Sequence, residues 1–188
     1  EEVHHEAELA IVIAKVTRNV AIEDVGPHIM GYTAANDVTA RDLQRADGQW
    51  ARAKGFDSFC PLGPAIDTDL YPQEGLAVIS RVNGETRQSG STSDLVFGVG
   101  ELVSFVSSIM TLLPGDVILT GTPSGVGPIV PGDRVEVEIE GVGVLMNPVV
   151  QARPHAFVSP RHRRATCTSA VHAPPSTTGS SCARRAAR

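Results

Sequence analysis

The run ELAIVIAKV (8–16) is apolar at both odd and even positions, which suits a strand covered on both faces. AIEDVGPHIM (21–30) predicts a short helical segment interrupted at Gly26-Pro27, because proline removes a helical N–H and its ring crowds the preceding turn. GYTAANDVT (31–39) reads as a second strand leading into a short turn of helix at ARDLQRA (40–46). In LAVISRVNGETRQSGS (76–91), two strand-like runs flank Asn83-Gly84. A type I′ turn needs positive φ at both central residues, which this pair tolerates best, so the segment predicts a hairpin. GVGELVSFVSSIMTL (98–112) predicts a helix with Leu102, Phe105, Val106 and Ile109 on its apolar face, ended by Pro114-Gly115. DVILTGTP (116–123) then reads as a buried strand. DRVEVEIEGVGVLMNPV (133–149) reads as a second hairpin, with Val135, Val137 and Ile139 alternating against Glu136, Glu138 and Glu140. There is no internal repeat. The pattern predicts a β-rich α+β domain with a few short helices.

Composition narrows this picture. Of 188 residues, 41% are hydrophobic but only 4% aromatic, so the chain can form one domain with a mainly aliphatic core. No apolar run approaches the ~20 residues needed to cross a bilayer, which argues against a membrane protein. The acidic start does not read as a signal peptide, and the absence of an initiating Met suggests a processed or partial chain. Cys60, Cys167 and Cys182 fit neither a zinc site nor a disulfide framework, so a reducing cytoplasm is expected.

Charge divides the chain. All 21 acidic residues and 9 of the 16 basic ones lie in residues 1–150, leaving 7 arginines and no acid in 151–188. The acidic body offers no electrostatic footprint for nucleic acid. Residues 151–188 are rich in Ala, Arg, Ser, Thr and Pro and carry no period, so they read as a basic low-complexity tail that does not order itself. Binding of an anionic partner is the functional alternative for that tail.

Candidate chemistry sits at the start of the first strand. Glu6 and Glu8 are two residues apart and so share a face, where their charges repel. A divalent cation compensates such a pair, and Asp37, near the end of the second strand, offers a third oxygen ligand. An acid pair spaced in this way is more often a solvated face, as Glu136, Glu138 and Glu140 illustrate. The difference is that Glu6 and Glu8 lead into LAIVI, which looks buried.

The segments VHHEAELAIVIAKV, GYTAANDVTARDLQ, ARAKGFDSFCPLGP, RVNGETRQSGSTSDLVF and LLPGDVILTGTPSGVGP, in that order, resemble the fumarylacetoacetate hydrolase family over residues 3–150. The likeness is to its smaller bacterial members, related to 2-hydroxyhepta-2,4-diene-1,7-dioate isomerases and acylpyruvate hydrolases. It implies a mixed β-sandwich or roll of the family's C-terminal domain type. It implies that Glu6, Glu8 and Asp37 hold Mg²⁺ (or Mn²⁺ or Ca²⁺), that Lys54 is an active-site lysine, and that Arg41, Gln44 and Thr122 border the substrate. The implied substrate is a small 2-oxo or 2-enol dicarboxylate, of the kind met in aromatic-compound catabolism. It is cleaved as an acylpyruvate, or isomerised or decarboxylated, through a metal-stabilised enolate. A homodimer is also implied.

Blander roles stay open for several of these residues. Arg41 could pair with Asp42 or Asp37, Gln44 could be solvated, and the glycines around Thr122 could serve backbone geometry alone. His4 and His5 read as flanking residues, Trp50 as packing, and Cys60 as an unactivated thiol. Hydrolytic members carry a water-activating His and Glu ahead of the first metal strand, and no His-x-x-Glu stretch precedes Glu6. Either that segment is missing from this chain, or the water-activated step is not performed. A truncated, catalytically incompetent metal-binding module is the alternative reading; a plain β-rich binding domain with a solvated acidic face is the third.

Overall fold

The computed structural model describes residues 2–151. The expectations for the basic tail, Cys167 and Cys182 lie outside these residues. In chain order the strands are β1 (Val3–His5), β2 (Ala7–Ile13), β3 (Ile29–Asn36), β4 (Thr39–Ala40), β5 (Leu62–Asp67), β6 (Ala77–Val82), β7 (Glu85–Ser91), β8 (Val117–Leu119), β9 (Gly127–Pro128), β10 (Arg134–Ile139) and β11 (Gly143–Pro148). The helices are α1 (Arg41–Asp47), α2 (Ala51–Lys54) and α3 (Val99–Ile109). The domain is β-rich, as expected.

Every strand pairing is antiparallel. One four-stranded sheet runs β5-β3-β2-β8, a second β11-β10-β6-β7, and a small third sheet β4-β1-β9. The two larger sheets face each other across one aliphatic core. Leu9, Ile11 and Ile13 of β2 meet Val78 of β6, Val137 and Ile139 of β10 and Leu145 of β11. Successive strand side chains alternate faces, so the odd residues of β2 build this core. All seven β2 residues are buried, which explains the continuous apolar run.

Both predicted hairpins form. Asn83 and Gly84 adopt φ of 55° and 82°, the left-handed pair a type I′ turn requires. Val135, Val137 and Ile139 are buried as expected, while Glu138 pairs with Arg81 at the sheet surface. The segment around Gly26-Pro27 forms two 3-10 turns, Ile22–Asp24 and Gly26–His28, instead of one helix. Gly48, at φ 67°, ends α1 in the left-handed conformation that residues with a Cβ avoid. Sequence periodicity gave no sign of β5 or α2.

Three expectations need correction. The first strand ends at Ile13, and Val16 is exposed. The strand expected over 116–123 is only three residues long, half-buried at a sheet edge, because beyond Thr120, whose N–H still reaches the Leu9 carbonyl at 3.2 Å, Gly121–Pro123 leave the ladder. The apolar face of α3 is rotated: Val99, Val103 and Ser107 are buried, whereas Phe105 and Ile109 are exposed. Hydrogen bonds explain the rotation. The Ser104 hydroxyl donates to the Val20 carbonyl at 2.8 Å, and Ser107 Oγ accepts the Val20 N–H at 3.1 Å, so the serine edge turns inward.

Candidate functional site

Glu6 stands between β1 and β2, where the chain passes from the small sheet to a large one. Its N–H donates to Asn36 Oδ1 at 2.9 Å, and its carbonyl accepts the Asp37 N–H at 2.9 Å. These bonds replace ladder pairing at the point where β3 also ends. They fasten Asp37 beside Glu6 although the two are far apart in sequence. Glu8, one strand step on, projects from the face of β2 opposite the core residues Leu9 and Ile11. Its Oε2 accepts the Gly121 N–H at 2.7 Å.

Glu6, Glu8 and Asp37 are therefore brought together, with ligand oxygens all within 4.8 Å of one another. Their exposures are 6%, 3% and 9%. Such crowding of buried carboxylates is costly unless cations or hydrogen bonds compensate it. Lys54, the last residue of α2, donates to Glu6 Oε2 at 3.0 Å and also to Asp37 Oδ2. Arg41, the first residue of α1, donates to Glu6 Oε1, and to Gln44 Oε1 at 2.7 Å. Among the described residues, the Glu8 carboxylate has a hydrogen bond from Gly121 alone, and no Lys or Arg pairs with it.

The electrostatics follow from these contacts. Burial pushes the Glu8 carboxyl up to about 7; the Gly121 N–H opposes this, while the charges of Asp37 and Glu6 add to it. Burial works against the Lys54 ammonium, but its hydrogen bonds to Asp37 and Glu6 prevail and hold it above its ordinary value. Burial raises the Cys60 thiol, helped by Asp37 and Glu8, so Cys60 is not an activated nucleophile. The donor set is three hard carboxylates around two monovalent cations, with one acid lacking a cationic partner. That chemistry fits a divalent ion with oxygen ligands.

Lys54 and Arg41 reach this cluster, whereas Gln44 is joined to it only through its hydrogen bond from Arg41. Arg41 pairs with Glu6, not with Asp42 or Asp37. Thr122 stands on the strap that follows β8: its hydroxyl donates to the Ala7 carbonyl at 2.8 Å and accepts from Gln88 Nε2 at 2.8 Å. His5 is 1% exposed and bonded to Gln88, so it is a built-in part of the region and not a mere flank. Burial lowers its affinity for a proton, against the Gln88 hydrogen bond. Trp50, expected to pack, is exposed.

Sequence reasoning missed Asn36 and Gln88. A signal for Gln88 existed: β6 points Val78, Ser80 and Val82 inward, and Gln88, opposite Ser80, puts a large amide at a core position. A cavity of about 220 Å³ lies on the Leu9 side of β2, lined by Leu9, Val78, Thr92, Phe97, Leu102 and Thr122. It shares the 120–123 strap with the carboxylate cluster but does not contain it.

Residues 1–150 match the profile of the fumarylacetoacetate (FAA) hydrolase C-terminal domain. The chain is 57% identical over 145 residues to an uncharacterized protein of Methanocaldococcus jannaschii, covering 77% of this chain and 61% of that one. It is 47% identical over 161 residues to the human mitochondrial oxaloacetate tautomerase, covering 80% of this chain and 51% of that protein. A crystal structure of 5-carboxymethyl-2-hydroxymuconate delta-isomerase from Mycobacterium smegmatis superposes with TM-score 0.80 at 56% identity, over 81% of this chain and 61% of that one. The chain thus spans about half to three-fifths of the length of these relatives. Among the described residues, no helix is long and apolar enough to cross a membrane.

Proposed function

The chain belongs to the fumarylacetoacetate hydrolase family, and from that premise we propose that it acts on a small 2-oxo or 2-enol dicarboxylate, with keto–enol isomerisation as the reaction its site supports best. C–C hydrolysis of an acylpyruvate and decarboxylation of a β-keto acid pass through the same enolate. The observation that carries the reading is the convergence of buried Glu6, Glu8 and Asp37 around Lys54. The isomerase and tautomerase relatives support proton transfer as the reaction.

In this reading Glu6, Glu8 and Asp37 hold the cation, with Mg²⁺ first and Mn²⁺ or Ca²⁺ as alternatives. A divalent ion there supplies a Lewis acid that polarises the carbonyl of a 2-oxo acid. Lys54 adds a fixed positive charge beside the developing enolate oxygen, where a preorganised cation lowers the barrier without reorganising. It is suited to this because Asp37 and Glu6 keep it protonated at neutral pH. Arg41 holds Glu6 in place and, with Gln44, borders the substrate; Thr122 borders it from the strap.

The test is turnover of oxaloacetate and of an acylpyruvate, followed by enol absorbance with Mg²⁺ and again with excess chelator. Loss of turnover with chelator is expected, and undiminished turnover refutes the mechanism. Calorimetry with Mg²⁺ and oxalate, an enolate mimic, separates the alternative: binding without turnover leaves a metal-binding module. We also infer a homodimer in the cytoplasm. Support for self-association comes from Phe97, Phe105, Ile109 and Met110, which α3 and its flanks expose. Sedimentation that returns only monomer refutes it.

A further inference from the structure

Gln88 is 1% exposed, and every hydrogen-bonding position of its carboxamide is used. Its Oε1 accepts from the Ala7 N–H at 3.0 Å and from His5 Nδ1 at 3.1 Å. Its Nε2 donates to Thr122 Oγ1 and to the Pro123 carbonyl, both at 2.8 Å. These partners are not scattered. His5 and Ala7 bracket Glu6, and Ala7 separates Glu6 from Glu8. Thr122 and Pro123 follow Gly121, whose N–H holds Glu8. One amide from β7 therefore joins the two segments that carry the carboxylates.

The Thr122 hydroxyl completes the connection by donating to the Ala7 carbonyl at 2.8 Å. Ala7 is gripped on its N–H by Gln88 and on its C=O by Thr122, so the peptide between the two acids has little freedom. Glycines permit the close approach. A Cβ on Gly90 would fall 2.7 Å from Pro123 Cβ, and one on Gly125 would fall 2.1 Å from the Arg87 carbonyl oxygen. With no side chain between β7 and the strap, Gln88 can reach both.

We propose that Gln88 is a positioning residue for the carboxylate cluster, fixing the Glu6-Ala7-Glu8 backbone against the Gly121-Thr122 strap so that Glu8 keeps the orientation a cation needs. The proposal rests on the metal-binding reading above for its functional consequence, but not for its geometric content. A buried amide that only filled the core would contribute to stability and leave the local cluster untouched. A positioning amide acts on Gly121 and on metal affinity. The bond that Gln88 steadies, from the Gly121 N–H to Glu8, is an outer-shell contact, and such contacts are typically worth about 10–100-fold in metal affinity.

The experiment compares the full chain with Gln88→Met, which keeps length and volume but forms no such hydrogen bonds. Amide exchange of the metal-free proteins by NMR and calorimetric titration with Mg²⁺ are the readouts. In the folded variant, exchange at the Gly121 amide is expected to rise about tenfold or more. The Val137 amide, in β10, stays near its original rate, and the Mg²⁺ dissociation constant rises about 10–100-fold. Thr122→Val, which removes the relaying hydroxyl, moves both readouts the same way and serves if Gln88→Met does not fold. Unchanged Gly121 exchange, or equal acceleration at Gly121 and Val137, overturns the positioning role. If the unsubstituted chain takes up no Mg²⁺, the metal reading falls while Gly121 exchange still decides what Gln88 does.

Discussion

Glu8 accepts the Gly121 backbone N–H at 2.7 Å, a bond that spans the chain from its first large-sheet strand to the strap after β8. It is the one hydrogen bond the Glu8 carboxylate has among the described residues, and it does not cancel the cost of burying the charge.

Stability of the metal-free chain therefore depends on this acid. Its folded value, about 7, lies above the ordinary 4.5. Between those limits the folded state retains a proton that the unfolded state releases, so stability is full below pH 4.5 and falls as pH rises through 7. The loss attributable to Glu8 is about 3 kcal/mol. On the proposed metal-binding reading, a divalent cation takes the deprotonated carboxylate and opposes that loss. Thermal melts should show Mg²⁺ raising Tm more at pH 8 than at pH 5, and Glu8→Gln should flatten the decline. Equal Mg²⁺ effects at both pH values contradict this account.

On the proposed mechanism, Lys54 serves the chemistry and not the binding of the cation. Its ammonium lies against Glu6 and Asp37, so it competes electrostatically with a cation on the same acids. Lys54→Met should leave Mg²⁺ affinity undiminished while lowering kcat by roughly 100-fold, the scale for removing one stabiliser of a developing oxyanion. Titration calorimetry and steady-state kinetics on the same preparation check both halves. A fall in Mg²⁺ affinity with kcat unchanged contradicts the assignment.

Gly125 and Gly132 share φ of 103° but differ in what a side chain would meet. Gly132 opens onto free space, so Gly132→Ala costs only the backbone term of about 1–2 kcal/mol. Gly125→Ala adds a collision with the Arg87 carbonyl and should cost more than about 3 kcal/mol, because backbone must move. Denaturant melts of the two variants measure the difference. Near-equal values show that the strap does not need its close approach to β7.

Much of the architecture was legible because period-two patterning and turn chemistry are local properties. Asn83-Gly84 fixed one hairpin, and alternating Val and Glu fixed the other. The rotation of α3 was not legible, since Ser104 and Ser107 turn inward through bonds to the backbone at Val20, a partner that periodicity does not register. Likewise Glu6, Glu8 and Asp37 could be proposed from strand ends and a family resemblance. Gln88 and Asn36 act through backbone groups of other segments, which become visible only when those segments meet.

Two acid pairs with the same spacing, Glu6/Glu8 and Glu136/Glu138, provide the decisive contrast. Glu138 lies at the sheet surface paired with Arg81 at 2.7 Å, and Glu136 pairs with Arg134 at 2.9 Å. Each of these acids has a cation of its own, and partly exposed pairs of this kind contribute about 0–1 kcal/mol. Glu8 has burial, two acidic neighbours, one N–H and only the through-space charge of Lys54. Truncating Glu138 therefore releases a compensated charge, whereas truncating Glu8 removes one of three acids that crowd a buried cluster. Glu138→Ala should change stability by less than about 1 kcal/mol and leave the Mg²⁺ isotherm unaltered. Glu8→Ala should reduce Mg²⁺ affinity by about 100-fold or more, beyond the usual scale for an outer-shell loss, while the metal-free protein at pH 8 becomes no less stable than its parent. Parallel titrations of the two variants decide the matter. Should both bind Mg²⁺ like the parent chain, the buried pair is no more a metal site than the solvated one, and the family's chemistry has no anchor in these residues.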